Sequence, residues 1–457
     1  MFARLNSFLK RIYARRSSLG FPEGFSFDAV PFNALRLARH MRVLFNVSVK
    51  KAEIQSNDTP LLFMWFGAMR MPVRAFASGK SLFSDQEAFL RAVMEIAERY
   101  AWYNYAPEIA LWSASDDLGK EALDLSRLAG FSDAILRQAR FCYDATTRFG
   151  WLPVNEVGVR KKVYVPAQLI SPHYFSRHVM KAQEEPILRP LVTTGIAAGF
   201  SRDEALVRGT LEALERDAFM ITYLNKLSPR RISLDEMPVP LGSGSFKNYL
   251  QKYGLKAHAL YLITDAPVHC VAALIIDDSG HGPAVSIGAK ASFSLAKSVT
   301  GALEEAMAIR ATNRKMGYHL RTIAPHGARL DQEGRKIWWS MPGHRHYIDF
   351  LIAADEESPR SFVLPKTEET SVVSPEAALL LQKWITAKGY GYYYCDITPR
   401  AFRRYGAHII ETLIPELQPL HLRESMPFMG GKRLREVPAA FGFSLPRNLN
   451  EIPHPFH

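Results

Sequence analysis

One stretch of this chain occurs twice. Residues 84–101 and 201–218 align without a gap at a constant offset of 117 residues, with eight identities in 18 positions. Each copy contains an E-x-x-E-R motif, formed by Glu95, Glu98 and Arg99 and by Glu212, Glu215 and Arg216. A large unit used twice differs from the short, many-fold repeats of solenoids. We therefore expect a duplicated half-domain whose two equivalent helices face each other across a shared cleft.

Strands and long helices alternate along the chain. Ser84 is a good helix N-cap, and Glu87 three residues later makes a candidate capping box. Predicted helices cover residues 32–49, 84–105, 202–224 and 295–314, and predicted strands cover residues 61–66, 163–165, 257–262 and 268–276. This order of elements indicates an α+β fold with α/β-type layers.

Composition excludes several classes of protein. Apolar residues make up 47% and charged residues 22% of the 457 residues, as in a globular protein. No stretch approaches the ~20 apolar residues of a membrane span. The three cysteines lie far apart without a C-x-x-C pair, which predicts neither a zinc site nor disulfides and favours a reducing cytoplasm. The net charge of +12 comes without an aromatic-interleaved basic patch, so we expect no nucleic-acid partner.

The first 60 residues differ from the rest. Basic and apolar residues alternate at roughly helical spacing in residues 1–20. Such a helix docks on the main body, a membrane surface or an acidic partner. We divide the chain into an N-terminal extension over residues 1–60, a candidate docking element, and a main domain over residues 61–457 with a Pro-rich tail over residues 446–457.

The paired glutamates set a chemical problem. Residues three apart share a helix face, so each motif presents two neighbouring carboxylates among apolar residues. Buried carboxylates repel each other and are costly to desolvate, unless a cation offsets the cost. Ion pairs with Arg99 and Arg216 are one solution. Four glutamates from two facing helices are also a hard-oxygen site for Mg²⁺, which commonly bridges carboxylates to nucleotide phosphates. We favour the metal and nucleotide site.

Two further features bear on that site. The predicted helix over residues 295–314 carries Glu304 and Glu305, of which only one is expected to face it. Gly79-Lys80-Ser81 ends like a phosphate-binding P-loop, but Arg74 stands where that motif needs a glycine. Lys80 can still reach a phosphate as a point charge. The chain contains no fingerprint of a serine hydrolase, a zinc protease or a dinucleotide-binding fold.

Four stretches together resemble the YcaO family of ATP-dependent peptide-modifying enzymes: residues 79–103, 193–219, 292–310 and the tail 453–457. Weaker similarity, in H-R-H-Y-I-D-F and I-P-E-L-Q-P-L, extends the resemblance over roughly residues 60–457. The resemblance implies a duplicated α/β unit that holds ATP and Mg²⁺ between its halves. It implies metal ligation by Glu95, Glu98, Glu212, Glu215 and Glu305, and nucleotide binding by Lys80, Glu204 and Arg216. We add Arg91 and Arg310 as candidate nucleotide-binding residues of this chain.

The chain departs from the family pattern at several nucleotide contacts. Phe200 replaces an asparagine, Gly301 an arginine and Ala308 a glutamine, and Arg91 stands where a serine is frequent. These changes spare the carboxylates. Either Arg91, Lys297 or Arg310 supplies the missing contacts, or the ATP site is weakened.

The tail points to a subtype of the family. Azoline-forming members commonly end in P-x-P-x-P, and their terminus reaches the active site. Here Pro453, His454 and Pro455 match this pattern, and His457 replaces the last proline. The resemblance therefore implies catalytic roles for these four residues. Either histidine is a hypothetical proton carrier, since imidazole titrates near neutral pH.

The implied reaction is cyclodehydration of Cys, Ser or Thr in a ribosomally made precursor peptide. The side chain attacks the preceding amide carbonyl, ATP phosphorylates the resulting oxyanion, and phosphate leaves, which gives a thiazoline or oxazoline. The expected partners are the precursor peptide, a leader-peptide-binding protein and a downstream dehydrogenase, and a homodimer is compatible with the sequence. The alternatives are backbone thioamidation or amidine formation, and a catalytically silent YcaO-like scaffold.

Overall fold

The computed structural model describes residues 25–26, 30–52, 62–69, 75–237, 244–323, 330–364 and 370–456. The predicted basic helix within residues 1–20 and the candidate catalytic residue His457 lie outside the described residues. Most of the predicted docking element over residues 1–60 lies outside them too.

Eight α-helices of eight residues or more occur in the described ranges. They are α1 (Phe32–Phe45), α2 (Asp85–Tyr103), α3 (Arg202–Leu224), α4 (Gly244–Lys252), α5 (Leu295–Lys315), α6 (Gln332–Ser340), α7 (Pro375–Ala387) and α8 (Arg433–Ala440). Single α-helical turns lie at Ser115–Leu118, Asp133–Leu136, Pro172–Tyr174 and Arg400–Arg403, a π-helix at Phe175–Lys181, and the longest 3₁₀ segment at Pro342–Ile352.

Fourteen strands form three sheets in the same ranges. The first is an antiparallel meander of β1 (Ser48–Lys51), β2 (Phe63–Met69) and β3 (Ala75–Ser81). The second has the order β11-β10-β9-β8-β12, from β8 (Arg230–Ile232), β9 (Leu255–Tyr261), β10 (His269–Asp277), β11 (Val285–Ser292) and β12 (Glu356–Glu357). The third has the order β4-β5-β13-β14-β7, with β6 on β5, from β4 (Leu111–Ala114), β5 (Arg148–Glu156), β6 (Lys162–Pro166), β7 (Ile196–Gly199), β13 (Tyr393–Asp396) and β14 (His408–Leu413).

The mixed α and β architecture confirms the predicted fold class, and the structure adds a third unit of the same design. In each unit a strand leads through a short turn into a long helix that packs on it: β3 into α2, β7 into α3, and β11 into α5. Close packing requires glycine in the strands. A Cβ at Gly79 would lie 1.8 Å from the Ala88 carbonyl oxygen, and one at Gly288 would lie 2.4 Å from that of Ala302.

Most predicted elements are present, with shifted ends. The helix predicted over residues 32–49 ends at Phe45, because Asn46 adopts a left-handed conformation with φ 52° and the chain then forms β1. The predicted capping box forms only in part: the Ser84 hydroxyl accepts the Glu87 N–H, but the Glu87 carboxylate accepts from Ser81 instead. The described segment from Val30 to Ala52 packs on the first unit through β1 and through the apolar face of α1.

Candidate functional site

One glutamate in each long helix is tied to the strand of its own unit. Glu95 accepts the Ser78 N–H at 3.2 Å, Glu212 accepts the Gly195 N–H at 3.1 Å, and Glu305 accepts the Ala289 N–H at 2.9 Å. Each glutamate stands at the same distance in sequence from the serine at its helix N-cap, which is Ser84, Ser201 or Ser294. The three units therefore aim equivalent carboxylates by the same backbone contact.

A second glutamate in each helix reaches the strand of another unit. Glu98 of α2 accepts the Ala198 N–H of β7 at 2.7 Å, and Glu215 of α3 accepts the Ala291 N–H of β11 at 3.0 Å. Glu304 of α5 accepts the Leu82 N–H, just after β3, at 2.8 Å. The contacts run from the first unit to the second, the third and back to the first. This closed circuit places the carboxylates where the three units meet.

We call five of these residues the glutamate cluster: Glu95, Glu98, Glu212, Glu215 and Glu305. Cations surround it. The Lys80 ammonium lies 3.8 Å from Glu305, and Arg99 lies 3.5 Å from Glu95. Arg216 lies 3.7 Å from Glu212 and 3.5 Å from Glu215. The structure thus brings together the five predicted metal ligands and two of the predicted phosphate contacts.

The pKa values of the cluster show how its charges are balanced. Burial raises the pKa of Glu98 to about 8, and the neighbouring charge of Glu95 adds to the effect. Burial also raises the pKa of Glu215 to about 7, against the opposing charges of Arg216 and Lys290. Burial disfavours ionisation of Glu305 as well, but Lys80 and Arg216 hold its pKa below the usual value. The cluster is therefore short of positive charge mainly beside Glu98.

The carboxylates and cations of the cluster suit a phosphate group that is bound through Mg²⁺. The Nη1 group of Arg216 is buried without a hydrogen-bond partner, although the rest of its guanidinium contacts two carboxylates. An orphaned cationic donor of this kind matches a phosphate oxygen. No three glutamates of the cluster have carboxylate oxygens that all lie within 4.8 Å of one another. Among the described residues, the group of three that lies this close is formed by other side chains. Mg²⁺ typically takes one or two carboxylates and completes its shell with water and phosphate oxygens, so this spacing fits it.

Three residues predicted to bind nucleotide have other contacts. Arg91 pairs with Glu87 and Glu304 and donates to the Lys80 carbonyl. Glu204 lies in the first turn of α3, where it accepts from the Phe200 N–H and from Arg208. Arg310 is buried and pairs with Asp277 at 2.9 Å. The structure shows none of these three side chains in contact with the glutamate cluster.

Lys290 is a cluster residue that the sequence analysis missed. It lies on β11, and its charge opposes the effect of burial on the pKa of Glu212 and Glu215 and helps to lower that of Glu305. Its stem crosses Gly301 of α5, where an added Cβ would lie 2.7 Å from the Lys290 Cγ. The small residue at position 301 therefore makes room for a lysine from the neighbouring strand. A lone lysine in a strand carries no motif that would have revealed this.

The described part of the C-terminal segment reaches Arg216 beside the cluster. The Pro453 carbonyl accepts from Tyr223 at 3.0 Å and from Trp339 at 2.9 Å. His454, Pro455 and Phe456 are buried, and the Phe456 ring lies under the Arg216 guanidinium, 3.9 Å from its centre. Of the predicted catalytic residues, Pro453, His454 and Pro455 thus belong to a packed segment that leads to Arg216. Phe456 makes the direct contact.

Within the described residues, none of the helices combines the length and the apolar character needed to cross a bilayer. Cys142, Cys270 and Cys395 are free thiols.

Comparisons with known proteins agree on one family. A family profile described as YcaO cyclodehydratase, ATP- and Mg²⁺-binding, matches residues 78–418. No curated protein sequence matches the chain. Among solved structures, a heterocyclase in complex with substrate and cofactor superposes with a TM-score of 0.75 at 18% identity, over 98% of this chain and 60% of that one. The chain thus spans less than two thirds of that heterocyclase.

Two smaller relatives have the same fold. YcaO from Methanopyrus kandleri, bound with AMPPCP and Mg²⁺, gives a TM-score of 0.59 at 17% identity and covers 85% of this chain and 91% of that one. The E. coli microcin synthetase McbBCD complex with pro-MccB17 bound gives 0.57 at 13% identity, over 80% of this chain and 87% of that one.

Proposed function

Because the chain belongs to the YcaO family, whose members are described as ATP- and Mg²⁺-binding, we propose that it activates backbone amides of a precursor peptide. The reaction that fits best is cyclodehydration of Cys, Ser or Thr to a thiazoline or a (methyl)oxazoline. The observation that carries the proposal is the meeting of carboxylates from three strand–helix units beside Arg216, whose buried Nη1 group has no hydrogen-bond partner.

The cluster residues have distinct roles in this proposal. Glu95, Glu98, Glu212, Glu215 and Glu305 supply the carboxylates for Mg²⁺, one or two to each ion, and Arg216, Lys80 and Lys290 bind phosphate oxygens. ATP, when bound, supplies the phosphoryl group that converts an amide oxygen into a leaving group. The chain itself contributes position and charge: its backbone N–H groups hold the carboxylates in place, and its cations offset the negative charge that gathers there.

Lys290 takes over part of the charge lost at position 301 in this proposal. The family pattern has an arginine at that position of α5, and this chain has Gly301. The lysine stem occupies the space that glycine leaves, and its charge acts on three carboxylates of the cluster. Arg91, Arg310 and Glu204 then serve to join helices and strands, since their charged groups already have partners.

The C-terminal segment supports the azoline-forming subtype. Residues 453–456 are buried, and Phe456 packs against Arg216. A peptide substrate and a leader-binding partner are part of the proposal, because the solved relatives include complexes with substrate and with further subunits. A downstream dehydrogenase and a cytoplasmic location follow from the same reaction class. Residues 1–60 remain the proposed docking element.

A catalytically silent scaffold is the second candidate. Phe200 and Ala308 stand where the family pattern has polar nucleotide contacts, and the Phe200 ring packs on the apolar core. Thioamidation or amidine formation would use the same amide activation. The buried Pro-rich tail favours azoline formation over both.

The test is ATP hydrolysis by the full chain with and without its precursor peptide and leader-binding partner. We expect hydrolysis and a loss of ~18 Da from the peptide per ring, the mass of one water. Glu95→Gln and Glu212→Gln should each lower turnover about 100-fold or more, since a lost Mg²⁺ ligand removes several kcal/mol of charge stabilisation.

Asp203→Asn is the matched control, because Asp203 is exposed on the same helix as Glu212. It should leave turnover unchanged. Full turnover in both glutamine variants would refute the metal assignment. ATP binding without hydrolysis would favour the scaffold, and a product that gains mass would favour thioamidation.

A further inference from the structure

A second group of metal-ligand side chains lies apart from the glutamate cluster. His421, Glu424 and His454 each offer one ligand atom, and these atoms all lie within 4.8 Å of one another. It is the one such group of three in the described part of the chain. His421 and His454 are buried, and the Glu424 side chain is 8% exposed. Two buried imidazoles and a mostly buried carboxylate are a donor set typical of zinc.

The distances fit a tetrahedral ion. His421 Nε2 lies 3.5 Å from Glu424 Oε2, and the two imidazole rings are 4.8 Å apart with their planes at 76°. Nitrogen and oxygen ligands ~2.1 Å from a tetrahedral zinc lie about 3.4 Å from each other. The His421–Glu424 separation already has this value. The same two atoms are within ion-pairing distance of each other, so a bound ion would take the place of their direct contact.

Surrounding groups orient two of the three side chains. His454 Nε2 lies 2.6 Å from the His421 carbonyl oxygen, where it acts as the donor. Arg335 donates through Nε and Nη2 to Glu424 Oε1, at 3.0 and 2.6 Å, which leaves Oε2 on the side of His421. Such hydrogen bonds to a ligating carboxylate are part of the usual outer shell of a zinc site, and Glu424 has them. The His421 Nδ1 atom is buried without a partner, so the protein alone does not satisfy this ring.

We propose that His421, Glu424 and His454 bind a Zn²⁺ ion. The imidazoles select zinc over Mg²⁺, which prefers oxygen ligands. Three protein ligands leave a fourth position to water. The Arg335 charge behind Glu424 lowers the affinity, so we expect a site weaker than one built from cysteines.

The ion would join two parts of the chain. His421 and Glu424 follow β14, whereas His454 belongs to the C-terminal segment that ends under Arg216. Zinc would therefore clamp this segment beside the glutamate cluster. The metal site does not depend on the proposed function.

Metal content and ligand type test the proposal directly. The full chain, stripped with a chelator, equilibrated with ZnSO₄ and desalted, should retain one zinc per chain. Its zinc X-ray absorption spectrum should show a nitrogen and oxygen shell with the scattering of two imidazoles. Absence of stoichiometric zinc, or a shell without imidazole, would overturn the proposal, and neither measurement needs a variant.

Variants locate the ion. Glu424→Gln keeps an acceptor for Arg335 and should lower zinc affinity at least tenfold, as should His421→Asn. Glu212→Gln should retain the zinc, which separates this site from the glutamate cluster. Near-ultraviolet circular dichroism checks that each variant is folded. Equal zinc binding by wild type and both site variants, or loss of zinc in Glu212→Gln alone, would contradict the assignment.

The clamp has its own readout. Carboxypeptidase Y, a serine enzyme that chelators do not inactivate, should release residues from the C-terminus several-fold faster after zinc is removed. Equal release rates with and without zinc would show that the ion does not hold the segment. These results are independent of ATP turnover, so a failure of the zinc proposal and a failure of the proposed enzyme are told apart.

Discussion

The helices α2 and α3 carry the same E-x-x-E-R motif in different surroundings. Helix α3 is buried along most of its length, and its Arg216 side chain is 13% exposed and covered by the Phe456 ring. Helix α2 is buried on one face, and its Arg99 is 28% exposed with Glu95 as its ion-pair partner. Equal motifs therefore do not make equal sites.

The difference lies in how each second glutamate is compensated. Glu215 has the charges of Arg216 and Lys290 beside it, whereas Glu98 has Arg99 as its cation and lies close to Glu95 and Glu212. Its pKa is accordingly about 8, against about 7 for Glu215. The carboxylates of α3 are therefore already compensated by cations of the chain. Glu98 of α2 lacks such compensation and is ready to ionise when a metal cation binds. The following predictions test this contrast, beginning with the largest effect.

Replacing the motif arginines should separate the two helices most clearly. Arg216→Met leaves two partly buried carboxylates without their nearest cation, which should lower the free energy of unfolding by about 3 kcal/mol. Arg99→Met removes a half-exposed pair within one helix and should cost about 0.5 kcal/mol. Urea denaturation of both variants measures the difference. Equal losses of unfolding free energy would mean that Arg99 and Arg216 stabilise their carboxylates to the same extent.

A second aligned pair of arginines extends the comparison. Arg91 and Arg208 occupy equivalent positions, and each pairs with a glutamate one turn earlier, Glu87 or Glu204. Arg91 alone also reaches Glu304, a buried carboxylate of α5. Arg91→Ala should therefore cost about 2 kcal/mol of unfolding free energy, less than a fully buried pair because Arg91 is partly exposed.

Arg208→Ala is the control and should cost about 0.5 kcal/mol. Both values come from urea denaturation at one pH. The double variant Arg91→Ala with Glu304→Gln should recover part of the loss, since it removes the charge left without a partner. No recovery would show that Arg91 stabilises α2 by packing alone.

These contrasts mark how far the sequence alone could lead. The E-x-x-E-R pattern predicted the two helices and their carboxylates because helical spacing is local. The sequence did not reveal α5 as a third copy of the unit. Ala308 occupies the position equivalent to Glu98 and Glu215, so the E-x-x-E-R motif is not present there. The Arg91–Glu304 pair joins residues far apart in sequence, and only the packing of α5 against α2 reveals it. The tail motif predicted a position near the cluster but not the contact of Phe456.

The charge of Glu98 on α2 should depend on pH up to a higher value than the charge of Glu215 on α3. Between pH ~5 and ~8 the folded chain holds a proton on Glu98 that the unfolded chain has lost, so without ligand the free energy of unfolding falls as pH rises. Mg²⁺ needs the ionised carboxylate, so Mg²⁺–ATP affinity should rise up to tenfold per pH unit between about pH 7 and 8, and more steeply below pH 7, where Glu215 must also lose a proton. Calorimetry at several pH values measures both the affinity and the protons released.

The variants Glu98→Gln and Glu215→Gln assign this dependence. The first should remove the slope between pH 7 and 8, where Glu98 still titrates among Glu95, Arg99 and Glu212. The second should leave that part of the slope and change only the part below about pH 7. If the affinity of Glu98→Gln for Mg²⁺–ATP still rose above pH 7, a group other than Glu98 would be responsible for the pH dependence.

The smallest expected effect concerns Lys290, whose charge acts on glutamates of both α3 and α5. Lys290→Met removes a charge that acts on Glu212, Glu215 and Glu305, and should weaken Mg²⁺–ATP binding several-fold while Arg216 and Lys80 remain. Gly301→Ala keeps the charge but puts a methyl group 2.7 Å from the Lys290 Cγ, which a flexible stem can yield to, so its effect should be smaller. Equilibrium titration with a non-hydrolysable ATP analogue measures both variants. If Lys290→Met binds as tightly as wild type, Gly301 is only a packing residue, and Arg216 and Lys80 carry the positive side of the cluster without it.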